Sequence, residues 1–347
     1  MRILHAIYSM MSGGAELMLT DIANIQAEQG HEVHLMIINE MESDEVMRRL
    51  SPKVQVHRIH RPEGSRNPFY ILKFNLALRH IHPDIVHIHV DSIMRLIVKS
   101  RKTKYVGTIH NTGIDVKHLL RADRIFAISQ AVKDDLKSRL NIDSTIVVNG
   151  IDFDKIDKNK RKKPSSPLRM VQTGRVVIYQ KGHDILIRAI AILKKKGLQT
   201  HVDFIGEPKD KEMLLQLANG LDVSDSVNFL GCYDRSDLYK KLSEYDLGVM
   251  PSRFEGFGLA LVEAMAAAIP VIASNVDGPA EILKENRYGL LFESENPEAL
   301  ADAIAKVANA YPIFKANAET AAYRYAVENY SIDATANKYL EEYKKLL

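Results

Sequence analysis

The sequence predicts two doubly wound α/β domains in tandem, each built on a parallel sheet. Three observations predict it. Short apolar runs of strand length alternate with segments of helical spacing, the pattern of βαβ units. That alternation stops over 152–167, a polar and lysine-rich stretch with almost nothing to bury, and then restarts. The chain has 347 residues, more than one compact domain usually needs.

In the first half, the run 2–8 is the opening strand. It leads through Gly13 and Gly14 into helical spacing at Leu17, Ile22 and Ile25, which ends at Gly30. The runs 31–38, 84–90, 105–110, 124–128 and 145–148 continue the strand series. The stretch 152–167 reads as a linker. Beyond it, a strand at 168–173 ends in Gly174 and Arg175, and a helix over 182–196 ends at Gly197. Strands follow at 201–205, 227–230, 247–250 and 270–273, with helices at 235–245, 259–268 and 297–310 and a helical set from 313. The domains are therefore expected at 1–165 and 166–331.

Composition narrows the class. Apolar residues make up 46% and charged residues 26%, a balance that excludes a disordered chain. A single cysteine, Cys232, excludes a disulfide framework or a multi-cysteine metal site and fits a reducing compartment. The run 256–276 is long enough to span a bilayer but carries Glu263 and Pro270. The opening run contains His5 and reads as a buried strand rather than a leader. A soluble or peripheral, cytoplasmic protein is expected. Over 1–165 there are 26 Lys and Arg against 19 Asp and Glu, whereas 166–347 has 21 against 25, so the two halves suit different partners.

In open parallel sheets, ligands bind at the carboxyl ends of the strands, where helix N-termini present free amides. Three strand-to-helix loops carry candidate chemistry. Gly13 and Gly14, followed by Glu16, allow a backbone to approach a phosphate, or they make a tight turn. The spacing is not that of a dinucleotide fingerprint or a Walker loop, which disfavours a nicotinamide dehydrogenase. Arg175 and Lys181 lie six apart on one loop, where both can face a diphosphate and neutralise it without a metal. The third loop, 251–264, holds Glu255, then glycines 256 and 258, then Glu263 inside an otherwise apolar helix. A carboxylate beside open amides suits sugar hydroxyls, and a carboxylate on an apolar helix is costly unless it is bound to something. Asp152 and Asp154 resemble a metal-binding pair but sit beside the linker and read as loop.

Glu255 and Glu263, with seven residues between them and a Gly-Phe-Gly inside that interval, resemble the signature of the retaining glycosyltransferases of family 4, glycosyl transferases group 1. The resemblance runs along the chain through Gly13 to Glu16, Thr108 to Asn111, Asn149 to Asp152, Gly174 and Arg175, Lys181 to His183, Asp277 to Glu281, and Tyr288 with Gly289. It implies the GT-B fold, in which an acceptor-binding N-terminal domain and a donor-binding C-terminal domain face a central cleft. It also implies that 332–347 crosses back onto the first domain.

Carried onto this sequence, the resemblance assigns Arg175 and Lys181 to the donor diphosphate, Glu263 to the ribose, and Glu255 to the donor sugar. It assigns backbone amides at Phe257, Gly258 and Leu259 to sugar or phosphate, Gly14 to the diphosphate, and His110 to the neighbourhood of the transferred sugar. The sequence departs from many relatives over 176–180, where an acidic residue is usual. The expected activity is transfer from a nucleotide-diphosphate sugar, UDP-sugar favoured and GDP-sugar possible, to a saccharide or lipid-linked saccharide in surface polysaccharide or lipopolysaccharide synthesis. Neither a metal nor another cofactor is expected. Alternatives are a nucleotide-sugar epimerase of the same fold and an inert nucleotide-sugar-binding protein.

The acceptor side offers one further pattern. The segment 68–79 is helical, with Phe69, Leu72, Leu76 and Arg79 on adjoining faces and Arg58, Arg61, Arg66 and Lys73 nearby. It suits either packing on the sheet with a solvated basic edge, the reading slightly favoured, or peripheral contact with an anionic membrane. No nucleic-acid motif accompanies the charge.

Overall fold

The computed structural model describes residues 1–11 and 13–347 and divides them into two compact units. The first comprises Met1–Gly150 together with Ile332–Leu347, and the second Ile151–Ser331.

The first unit is a seven-stranded parallel sheet in the order β3-β2-β1-β4-β5-β6-β7. Its strands are β1 (Arg2–Ile7), β2 (Glu32–Asn39), β3 (Gln55–Arg61), β4 (Ile85–Ile88), β5 (Lys104–Ile109), β6 (Arg124–Ala127) and β7 (Thr145–Ile146). Register aligns Ile3 with Val33 on one side and with Ile85 on the other, so β1 is covered on both edges and can be apolar throughout. β3 was not legible from the sequence: Gln55, His57, Arg58 and Arg61 interrupt its apolar residues. It is an edge strand, half exposed, and polar side chains there cost little.

The helix Ile332–Lys344 packs into this unit. Ile332, Ala336, Tyr339, Leu340 and Tyr343 share a core with Ile3, Met18, Ile22, Ile85, Val106 and Phe126. Thr335 Oγ1 donates to the carbonyl of Val148 at 2.9 Å, and Arg124 pairs with the buried Glu342.

The second unit is a six-stranded parallel sheet in the order β10-β9-β8-β11-β12-β13. Its strands are β8 (Leu168–Thr173), β9 (Thr200–Ile205), β10 (Val227–Gly231), β11 (Leu247–Met250), β12 (Val271–Ser274) and β13 (Leu290–Phe292). β13, a three-residue edge strand, also escaped the pattern. The helix His183–Lys195 buries Ile185, Leu186, Ile187, Ala189, Ile190 and Leu193, the near-continuous apolar face its spacing predicts.

The stretch 152–167 is not a free linker, and the division at 165/166 is corrected to 150/151. Asn159 is 1% exposed; its amide donates to Ala267 O at 2.8 Å, and its own carbonyl accepts from Lys315 Nζ at 2.7 Å. The Ser165 amide donates to Asp246 Oδ2 at 3.0 Å. A lysine-rich segment is thus held by backbone bonds and Asn159, with Phe153 and Ile156 buried and Lys162 paired to Glu319, too sparse an apolar set for hydrophobic periodicity to report. Asp152 caps the 3-10 turn Phe153–Lys155 and pairs with Lys155 at 2.6 Å.

Candidate active site

The candidate residues fall into two groups, one at the carboxyl ends of the strands of each unit. In the second unit, β8 ends at Thr173 and the chain turns through Gly174 into Arg175 and the short helix Ile178–Lys181. Gly182 follows at φ +64, and a Cβ there would lie 2.0 Å from the carbonyl oxygen of Pro251. Only glycine allows that approach. It presses the loop after β8 against the loop after β11, which Arg253 also clamps. Its guanidinium donates to both carboxylate oxygens of Asp184 at 2.9 Å and to Ile178 O at 2.8 Å.

This apposition brings Lys181 onto Glu255, Nζ to Oε2 at 2.5 Å, with both side chains largely buried. The sequence placed the two in different loops with different tasks and did not predict the pair. Arg175 is exposed, and among the described residues no ion pair or hydrogen bond engages its guanidinium. The loop therefore presents one free cation and one cation held by a single carboxylate.

Glu255 leads into Gly258, at φ +111, and the helix Leu259–Ala266. The first amides of that helix have no intrahelical acceptor, so they remain available to a ligand. The Phe257 side chain is a core element, 4% exposed and edge-on to Tyr330 at 5.5 Å, so its amide alone is a candidate contact. Glu263 Oε1 accepts from Tyr239 Oη at 3.4 Å, and Tyr239 in turn accepts from Arg235 Nε. Burial raises the Glu263 carboxyl above its ordinary range, opposed by the nearby Arg235 and by the tyrosine bond. Tyr239 and Arg235 were not singled out as partners of Glu263; they lie on a helix whose spacing carries no chemical signature.

In the first unit, Gly14 opens the helix Gly14–Glu28, with Gly13 as its N-cap. Beyond its chain neighbours and the backbone of its own helix, a Cβ on Gly14 would meet none of the described residues within 4 Å. Ser12, part of the same motif, lies outside the described residues. His110 ends β5. Its Nε2 is buried without a hydrogen-bond partner among the described residues, and burial pushes its pKa down to about 4.

His110 stands at the edge of a histidine cluster that the sequence did not reveal, because its members lie on three separate strands or strand ends. The rings of His110 and His89 stack at 6.3 Å. His5 Nε2 donates to Gln26 Oε1 at 2.8 Å, which leaves His5 Nδ1 to accept from His89 Nε2 at 3.1 Å. His87 bridges Tyr343 Oη at 2.6 Å and Thr108 Oγ1 at 2.7 Å. Burial holds all of these imidazoles neutral near neutral pH. His5, His87 and His89 are close enough to be a metal-ligand set, but His5 and His87 already spend both ring nitrogens within the protein, so they fit a hydrogen-bonded core rather than a metal.

Two Rossmann-like parallel sheets with loops of this chemistry define a glycosyltransferase of the GT-B fold. Comparison with known proteins supplies the family. Residues 12–155 match Glycosyltransferase Family 4, and 153–325 match Glycosyl transferases group 1. The chain belongs to the group 1 glycosyltransferases, with a family 4 N-terminal half.

It is 24% identical over 362 aligned positions to an uncharacterized glycosyltransferase of Haemophilus influenzae, covering 97% of this chain and 96% of that one. It is 26% identical to the N-acetylgalactosamine-N,N'-diacetylbacillosaminyl-diphospho-undecaprenol 4-alpha-N-acetylgalactosaminyltransferase of Campylobacter jejuni, covering 85% of this chain and 86% of that one. The crystal structure of Anabaena HepE in complex with UDP-glucose superposes with a TM-score of 0.82 at 21% identity, covering both chains completely.

Proposed function

We propose that this glycosyltransferase transfers a sugar, with retention of anomeric configuration, from a UDP-sugar to a saccharide or lipid-linked saccharide of a surface polysaccharide or lipopolysaccharide. The observation that carries the reading is the Lys181–Glu255 pair beside the unengaged Arg175. A diphosphate set against that loop meets two cations, and Glu255 is already placed next to the group that binds the charge. The Campylobacter relative and the Anabaena structure support a nucleotide-sugar donor and a lipid-linked acceptor by similarity.

In this reading, cleavage of the anomeric C–O bond leaves negative charge on the nucleotide diphosphate. Arg175, Lys181 and the first amides of Leu259–Ala266 stabilise that charge where it develops. No metal enters the scheme. Glu255 accepts hydrogen bonds from donor-sugar hydroxyls, Glu263 from the ribose, and Gly14 contributes its backbone to the diphosphate. His110, neutral and with Nε2 unpartnered, serves the transferred sugar as a hydrogen-bonding group rather than as a cation. The acceptor hydroxyl attacks from the face the nucleotide leaves, through an oxocarbenium-like state, and its proton passes to the departing diphosphate oxygen as the new C–O bond forms.

Thermal unfolding with UDP, GDP and ADP and their sugars, in the presence of EDTA, tests this. A ligand that binds only the folded chain raises the midpoint by mass action. UDP and one UDP-sugar are expected to shift it, undiminished by EDTA. A shift only with another nucleotide would correct the donor, and a shift abolished by EDTA would refute metal independence.

A further inference from the structure

Glu263 stands on a helix, Leu259–Ala266, that otherwise buries Leu261, Val262, Ala264, Met265 and Ala266. A carboxylate among such residues needs compensation, and one neighbouring helix supplies it. Asp234 caps the helix Arg235–Leu242 by accepting from the Asp237 amide at 2.8 Å. Arg235 therefore takes the first helical position, and Tyr239 follows one turn later on the same face. The Arg235 guanidinium lies over the Tyr239 ring, 5.3 Å from its centroid, and its Nε donates to Oη. Tyr239 itself is fully buried.

The direction of this chain of bonds is fixed. A guanidinium can only donate, so Tyr239 Oη accepts from Arg235 and turns its own proton to Glu263 Oε1, 3.4 Å away. Burial raises the Glu263 carboxyl, and the Arg235 charge and the tyrosine bond both act against that, toward the ionised form. The terminal torsion of a carboxyl group is soft, and a bond to one oxygen restrains it. Among the described residues the carboxylate has no other hydrogen bond or ion pair. Glu263 is half-buried, so Oε2 stays open to a ligand.

We infer, on the reading of Glu263 as the ribose-binding residue, that Tyr239 and Arg235 are positioning residues that hold its carboxylate for a ribose and so make the chain discriminate ribonucleotides from 2′-deoxyribonucleotides. An ionised carboxylate only accepts, which complements the two adjacent O–H donors of a ribose. A site built to bond a hydroxyl rejects an analogue without it, because a polar group of the site is then left unpaired. Restraining the carboxylate before binding lowers the cost of ordering it. A tyrosine whose hydroxyl served packing alone would affect both kinds of nucleotide alike.

The test is calorimetric titration of the full chain with UDP, GDP and ADP, each beside its 2′-deoxy form. The wild type is expected to bind a ribonucleotide roughly tenfold or more tightly than the matching deoxy form. Tyr239→Phe and Arg235→Met are each expected to lower that ratio at least about threefold, with affinity for the deoxy form near wild type. Tyr239→Phe keeps the ring and Arg235→Met keeps most of the stem beside it, so both should melt close to wild type. Glu263→Gln should bring the ratio toward unity, and it separates the two readings. A wild type that binds none of these nucleotides or shows no preference, or a Glu263→Gln variant that keeps the preference, would refute the ribose assignment and this inference with it. Loss of the ratio in Glu263→Gln, with the ratio unchanged in Tyr239→Phe or in Arg235→Met, would leave that assignment standing and overturn the positioning role.

Discussion

Gly14→Ala separates what the fold requires at this position from what a ligand requires. Gly14 is the first residue of the helix Gly14–Glu28, exposed, and it shows no positive φ. Beyond its chain neighbours and the backbone of its own helix, an added Cβ would meet no atom of the described residues within 4 Å. The fold therefore has no use for the missing side chain, and alanine should favour the helix by up to about 0.5–1 kcal/mol, less at its first position. Unliganded midpoints should stay level or rise by on the order of 1–3 °C. If the diphosphate comes within hydrogen-bond reach of this backbone, the methyl removes a charged contact worth about 1.5–3 kcal/mol, a loss of roughly 10- to 150-fold in donor affinity. The assay is a melting curve without ligand followed by titration of the donor nucleotide. A variant of unchanged donor affinity would place the ligand elsewhere, and a clearly lowered midpoint would refute the account of a glycine the fold does not need.

Three further outcomes are expected. Arg175→Ala with Lys181→Ala should cut turnover by roughly 100-fold or more; Arg175→Ala alone should leave the melting midpoint level because Arg175 is exposed, whereas loss of Lys181 leaves the largely buried Glu255 unpaired and should lower it; steady-state rates and melts decide it. Glu263→Gln should weaken nucleotide binding about tenfold. Because burial raises the folded-state pKa of Glu263, the ionised carboxylate costs stability as pH rises through that value, so the variant should melt above wild type at alkaline pH and converge with it toward acid; a pH series of melts checks this. Acid should destabilise the first unit through its neutral histidines. His5 and His110 titrate at about 4 when folded against 6.5 in the unfolded chain, so the unfolded state binds more protons between those values and stability falls as pH drops across that window. One such group contributes at most about 3 kcal/mol, and His110→Gln should flatten the decline measured by urea unfolding from pH 7 to pH 4.

The central strands were legible because a strand covered on both edges reads as a near-continuous apolar run, and β1, β2, β8 and β11 do, interrupted only by residues such as His5, His34 and Gln172. β3 and β13 escaped because edge positions tolerate Arg, His and brevity. The segment 152–167 misled for the opposite reason: Asn159 and the Ser165 amide anchor it by polar bonds that leave no apolar period. The donor-loop motifs were legible because glycine, arginine and glutamate at fixed offsets from a strand end are local features of the chain.

The sequence by itself determined two parallel sheets, the loops that carry the candidate chemistry and the family to which the chain belongs, because periodicity and motif spacing act over a few turns of chain. Tertiary structure decided which distant residues meet. It set Lys181 on Glu255 by pressing Gly182 against Pro251, joined Arg235 and Tyr239 to Glu263, and gathered His5, His87, His89 and His110 from three strands and the residues that follow them. It also decided that one face of Pro68–Ile81 stays uncovered. Burial and pairing between residues tens to hundreds of positions apart depend on how strands order and loops abut, and no local pattern encodes that.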